Sequence, residues 1–177
     1  MARALLWTAV DPARARRLLV AKINEGGLPL MYQIILDGSQ ADMRRALCVA
    51  LAALEARRTL LFFCKAGKDR TGLLAALILA NAGASDEAIL ADYERSDAHH
   101  AVALAGLERM PELVDLNRAV FERAPREAMA SALGHLRERY GGVRSYLDAI
   151  GFGRDRQRRL RDALAAADGP PPAAPRL

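Results

Sequence analysis

A chain of 177 residues suits one domain and is long enough to bury a core without disulfide or metal staples. Its 52% hydrophobic and 27% charged residues exclude wholesale disorder and a collagen-like fibre, and its longest apolar run, Leu73 to Ala80, is far too short for a membrane span. A formal net charge of +5 and a sequence pI of about 9.7 favour anionic partners without naming one, and all but three of the 26 basic residues are arginine.

Leu5 to Val10 reads equally as a short strand or the edge of a helix. Asp11-Pro12 is a cap followed by proline at the first helical position, and predicts a helix through about Lys22. Asn24 to Pro29 (NEGGLP) predicts a loop, and Leu30 to Leu36 fits strand or helix until Asp37-Gly38-Ser39 breaks it. From Ala41 to Arg57 the period is helical, with Met43, Leu47, Ala50, Leu51 and Leu54 on one face. Thr59 to Phe63 (TLLFF) is a continuous apolar run and predicts the buried central strand of a small parallel sheet. Leu73 to Asn81 predicts an apolar helix ending near Gly83. Ser85-Asp86-Glu87 starts another, carrying Ile89, Leu90 and Tyr93, and Ala98 to Met110 and Glu112 to Ala124 are further helices. Pro125 opens a helix with Met129, Leu133, Leu136 and Tyr140 on one face, ended by Gly141-Gly142. Val143 to Ile150 and Arg154 to Ala167 are the last two helices. The fold expected is α/β and helix-rich, one domain over residues 1–167, with a Pro-rich disordered tail at 168–177.

Two cysteines, Cys48 and Cys64, make no disulfide framework, and the N-terminus has no apolar region followed by a small-residue cleavage site. A cytoplasmic location follows as the expectation. His99-His100 has no accompanying ligand pattern, so no metal is expected there. The basic run Arg154 to Arg161 reads as the solvated face of an amphipathic helix with Phe152, Leu160 and Leu164 inward, so nucleic acid is not an expected partner.

The chemistry concentrates in Cys64 to Gly72 (CKAGKDRTG). A strand delivers a cysteine, and six positions on an arginine opens a helix. Successive amides of a tight loop form an anion nest, and the helix start adds unsatisfied N–H groups. Gly67 and Gly72 permit unusual backbone angles, and Gly67 allows an anion to come close. Arg70 offers a planar fork to two phosphate oxygens, and the same positive field lowers the Cys64 pKa. A thiolate beneath a bound phosphate is an in-line nucleophile, and Thr71 can hydrogen-bond it and ease its departure. A nucleotide-binding P-loop is excluded, because Asp69 rather than Ser or Thr follows Lys68 and no glycine stands at the required earlier position.

This loop resembles the signature of the cysteine-dependent protein tyrosine phosphatase superfamily, and most of all a bacterial and fungal branch whose loop reads AGKDRTG. DEAILADYERS at Asp86 to Ser96 and YGGVRSYLDAIG at Tyr140 to Gly151 resemble that branch too, so that the likeness covers about residues 28–165. The resemblance implies a phosphatase acting on phosphorylated proteins or phosphoinositides, with no metal or organic cofactor and with peripheral membrane contact compatible with a lipid substrate. It makes Cys64 the nucleophile and Arg70 the phosphate ligand. The backbone from Lys65 through Ala66, Gly67 and Lys68 to Arg70 becomes the cradle, and Thr71 the aid to thiolate chemistry. Lys65 and Lys68 would ring the pocket, and Asp69 would position water or a substrate hydroxyl.

Two features depart from the family pattern. Phe63 stands where a histidine usually precedes the cysteine. The family's N-terminal segment, with further strands and the acid that protonates the leaving oxygen, has no counterpart here, which leaves Asp37 as the candidate acid. The alternative these departures favour is a catalytically weak or inactive phosphate-binding module.

Overall fold

The computed structural model describes residues 11–104, 117–121 and 123–167. Eight helices occur among them: α1 (Pro12–Gly38), α2 (Gln40–Glu55), α3 (Asp69–Ala82), α4 (Asp86–Leu104), α5 (Arg118–Phe121), α6 (Arg126–Tyr140), α7 (Val143–Ala149) and α8 (Arg154–Ala167). The expected strand or helix edge at Leu5–Val10, the stretch 105–116 and the tail at 168–177 lie outside the described residues.

Asp11 caps α1 as its sequence suggests, its carboxylate accepting the Arg14 N–H at 3.0 Å, with Pro12 in the first turn. The loop expected at Asn24–Pro29 is smaller than predicted. Helix runs on both sides, and the interruption is confined to Gly27, whose φ of +60° lies in the left-handed region. Pro29 follows within the first turn of the second segment, where its missing N–H leaves no helical bond broken. Leu30–Leu36, ambiguous by pattern, is helix, and buries Tyr32 and Leu36. Ser39 alone separates α1 from α2.

Helix α3 is the hub, packing against α1, α2, α4, α7 and α8. It ends on Gly83 at φ +96°, whereas α6 ends on Gly141 at φ +80°. There the Gly142 N–H reaches back to the Leu136 carbonyl and closes the turn. The core is one cluster that includes Tyr32, Leu47, Leu73, Leu77, Ile89, Met129, Tyr146, Phe152 and Leu160. On α8 the basic run is knitted to its surroundings: Arg159 forks onto Glu55 at 2.7 and 2.8 Å, and Arg161 bonds Asn81. Two residues before Arg159, Gln157 is buried and donates to the carbonyls of Arg144 and Phe152.

No strand occurs among the described residues, so the small parallel sheet of the sequence reading is not seen there. A strand exists only with a partner, and no described segment lies alongside Thr59–Phe63 to make a ladder. The burial expected of this run is also only half met. Leu60 and Phe62 pack against the core, whereas Leu61 and Phe63 stand in solvent at 80% and 76% exposure.

Gly72 belongs to packing. A Cβ there would lie 2.8 Å from the Tyr93 ring, which is itself held by a hydroxyl–hydroxyl bond to Tyr32. Gly72→Ala is therefore expected to lower unfolding free energy by about 1–3 kcal/mol through overpacking, outweighing the roughly 1 kcal/mol that Ala gains over Gly inside a helix. Urea denaturation monitored by circular dichroism measures this.

Candidate active site

Thr59–Phe63 delivers Cys64 to the start of α3, and the chain between them curls so that its amides face the sulfur. Burial pushes the Cys64 thiol up. The Thr71 hydroxyl and the N–H groups of Thr71, Ala66 and Lys68 outweigh that and bring it down from the ordinary 9.0 to about 7. The Thr71 Oγ1 also accepts the Cys64 N–H at 2.8 Å, so this one hydroxyl fixes both ends of the residue. The tight curl needs Gly67, whose φ is +65° and around which no atom crowds an added Cβ. Its role is conformational freedom, in contrast to Gly72.

Cys64, Arg70 and Thr71 line one cavity of about 450 Å³. Its walls are mostly apolar: Ile35 from α1, Met43 and Ala46 from α2, Phe62 and Phe63 from the preceding segment, and Leu74 from α3. Ser39 and Asp42 add polar atoms, and Asp42 is the cavity's one carboxylate among the lining residues. Asp42 is held in an ion pair with Arg45, one helical turn on. A second cavity of similar size, about 460 Å³, is lined by Glu94, Val120, Arg123 and Arg126 among others and holds no nucleophile. Its Arg126 is paired with Glu87 and Glu94.

The two loop lysines part company. Lys65 is exposed, whereas Lys68 is 1% exposed and its side chain runs into the protein. The Lys68 Nζ donates to the carbonyls of Phe121 and Arg123 at 2.5 and 2.7 Å and lies 3.5 Å from Asp69. It ties the loop to the segment after α5 and does not line the Cys64 cavity. Asp69 also faces inward, accepting the Tyr32 hydroxyl at 2.9 Å, and Tyr32 meets the Tyr93 hydroxyl at 2.5 Å. Burial first, then the Asp69 charge, raises the Tyr32 pKa and keeps that phenol a donor.

Asp37 lies outside the cavity lining. Its carboxylate accepts from the Tyr140 hydroxyl at 2.7 Å, meets His135 Nε2 at 3.0 Å and faces Arg139 at 3.4 Å. Partial burial pushes its pKa up, but the bonds from His135 and Tyr140 and the nearby Arg139 charge hold it below the usual carboxylate range. A carboxyl kept ionised in this way is poorly suited to donate a proton near neutral pH. Residues with no flag in the sequence complete the picture. Tyr32 sits in an apolar run, and Asp42 differs from any surface aspartate only once α2 is laid beside Cys64. Among the described residues no group of three or more metal-ligating side chains gathers.

Comparison with known proteins bears on the same stretch. A profile of the tyrosine phosphatase family matches residues 8–166. The triple specificity protein phosphatase PtpB of Mycobacterium tuberculosis is 33% identical over 137 residues, covering 68% of this chain and 49% of that protein. A putative tyrosine-protein phosphatase of Cupriavidus necator is 43% identical over 58 residues, covering 33% of this chain and 21% of its own. The chain thus spans about half the length of the first of these relatives and less of the second. With the profile running from before α1 nearly to the end of α8 and enclosing the Cys64–Gly72 loop, the chain belongs to the tyrosine phosphatase family.

Proposed function

We propose that this chain hydrolyses phosphate monoesters through a cysteinyl-phosphate intermediate, acting on aryl phosphates such as phosphotyrosine. The observation that carries the reading is the convergence of the Ala66, Lys68 and Thr71 amides on Cys64, in a cavity shared with Arg70. With a pKa of about 7, roughly half of the Cys64 is thiolate at neutral pH. That sulfur attacks phosphorus while Arg70 and the loop amides hold the non-bridging oxygens, and the P–O bond to the substrate breaks. Water then attacks the phosphocysteine, the S–P bond breaks, and the thiolate leaves with the Thr71 hydroxyl as its donor. The reaction draws on protein groups alone. No described helix is long and apolar enough to cross a membrane.

The apolar walls favour an aromatic ring over a sugar headgroup. The inward course of Lys68 removes one of the two charges that would have greeted a phosphoinositide. A phosphate-binding module without turnover is the second reading, favoured by the engagement of Asp37 elsewhere. In the first, the one carboxylate among the lining residues is Asp42, and to protonate the leaving oxygen and afterwards take a proton from water it must exchange Arg45 for the substrate.

The test is release of phosphate from p-nitrophenyl phosphate and from phenyl phosphate. The good leaving group needs little acid help and the poor one much. Asp42→Asn is expected to slow phenyl phosphate turnover about a hundredfold, the lower end of what a general acid contributes, and to leave p-nitrophenyl phosphate within a few-fold. Equal loss on both substrates removes Asp42 from this role, and no turnover of either by the wild type favours the binding module.

A further inference from the structure

The start of α3 has two sides. Cys64, Arg70 and Thr71 line the cavity, whereas Lys68, Asp69 and Gly72 do not. Each of those three meets a different part of the protein. Lys68 reaches the carbonyls of Phe121 and Arg123, Gly72 faces the Tyr93 ring of α4, and Asp69 accepts the Tyr32 hydroxyl of α1 at 2.9 Å. Tyr32 is fully buried. Its hydroxyl also meets that of Tyr93 at 2.5 Å, and the two rings stand edge to face with centroids 6.2 Å apart. Ile35, one turn along α1 from Tyr32, lines the cavity, so the helix that carries the phenol is itself a wall of the site.

Charge makes the direction of Asp69 matter. A carboxylate in the first turn of a helix is favoured by the dipole whichever way its side chain turns. Turned outward beside Arg70, it would set a negative charge against the Cys64 thiolate and a bound phosphate, and would compete for the arginine fork. Turned inward, it needs donors, because a carboxylate without them is costly to bury. Tyr32 is the donor, and the Lys68 Nζ at 3.5 Å is the nearby cation. We infer that Tyr32, backed by Tyr93, is a positioning residue for the phosphate loop: its hydroxyl holds the Asp69 carboxylate inward, away from Cys64 and Arg70, so that the loop offers amides and a guanidinium to an incoming phosphate. This rests on the reading of Cys64–Gly72 as a phosphate loop. Tyr32 acts through Asp69 and touches no substrate. Removing the hydroxyl while keeping the ring, as in Tyr32→Phe, releases the carboxylate toward water at the loop, and an anion at Cys64 is then disfavoured.

The test follows alkylation by iodoacetamide across pH in the full chain, read at Cys64 by peptide mass so that Cys48 does not count, with and without inorganic phosphate. Tyr32→Phe is expected to move the pH of half-alkylation upward by about half to one unit, and to require about three- to tenfold more phosphate for the same protection of Cys64. Tyr93→Phe should shift both in the same direction by less. Adding Asp69→Asn to Tyr32→Phe should return both to the wild-type values, because the charge that the phenol restrains is gone. Tyr146→Phe is the control for lost packing. It too removes a buried phenol bonded to α1, here to the Leu36 carbonyl at 2.9 Å, but without reference to Asp69, and it should move neither. Three results overturn the inference: a Tyr32→Phe profile identical to wild type, a shift that persists when Asp69→Asn is added, or an equal shift in Tyr146→Phe. Phosphate that gives wild-type Cys64 no protection overturns the phosphate-loop reading instead, and the alkylation profiles still decide whether Tyr32 restrains Asp69.

Discussion

Cys64→Ser is expected to lower p-nitrophenyl phosphate hydrolysis by about 10⁴-fold or more, the scale seen when a catalytic nucleophile is removed from its unit. Inorganic phosphate should still bind, because the cradle is built from backbone amides and Arg70. Only the nucleophile changes: a serine hydroxyl reaches no anion in this field, whereas the thiol sits at about 7. The wild-type rate should therefore rise with pH up to about 7 and then flatten, as the thiolate fraction saturates. Stability carries the same signature. Between about pH 7 and 9 the unfolded thiol keeps its proton while the folded one has lost it. Unfolding free energy consequently rises with pH across that window, and the gain is lost as pH falls through 7. Cys64→Ser lacks this component of the rise, so urea titrations of the two proteins at pH 7 and pH 9 separate it. A wild type and a Cys64→Ser protein that turn over equally slowly, both binding phosphate, make the chain a binding module.

Lys68→Met is expected to cost about 2–4 kcal/mol in unfolding free energy, because it leaves the buried-side carbonyls of Phe121 and Arg123 without their donor and Asp69 without its nearest cation. The same substitution should slow turnover by at most the roughly 10²–10³-fold that losing one preorganised donor costs, because the Lys68 backbone N–H, which Met keeps, is part of the curl around Cys64 and loses the tether that places it. Met matches the length of the stem, so the comparison isolates the ammonium. The readout that a merely structural role leaves unmoved is the thiol itself: the pH dependence of Cys64 alkylation by iodoacetamide should shift upward from about 7. Lys65→Met is the control. Lys65 is exposed, and its replacement should change stability by no more than about 0.5 kcal/mol. If the two variants behave alike, weakening only phosphate affinity, Lys68 is a ligand and the tether reading fails.

The contrast between these lysines shows where sequence stops informing. CKAGKDRTG announces a phosphate loop because its chemistry is local: a thiol, an arginine and glycines within nine residues. Cap and stop signals are local too, and so Asp11, Gly83 and Gly141 stand where pattern put them. The direction of a side chain off that loop is set by distant neighbours. Lys68 turns inward because carbonyls more than fifty positions away await it, and Asp37 is engaged by residues of α6 that no spacing rule connects to it. Asn24–Pro29 misled for a different reason. Gly and Pro signal a break, but one left-handed glycine suffices to kink a helix that then resumes. Thr59–Phe63 has the composition of a buried strand, yet burial depends on what lies beside it, and a run of five apolar letters does not carry that information.

The apolar run Thr59–Phe63 also bears on how this chain behaves before and during folding. Thr59–Cys64 is an uncharged, proline-free window rich in β-forming residues, the kind that stacks into cross-β fibrils when many copies meet. Arg57, Arg58 and Lys65 act as gatekeepers at its ends, keeping neighbouring molecules apart by repulsion. That repulsion is screened by salt, so concentrated saline buffers work against this protein and dilute, low-ionic-strength handling works for it.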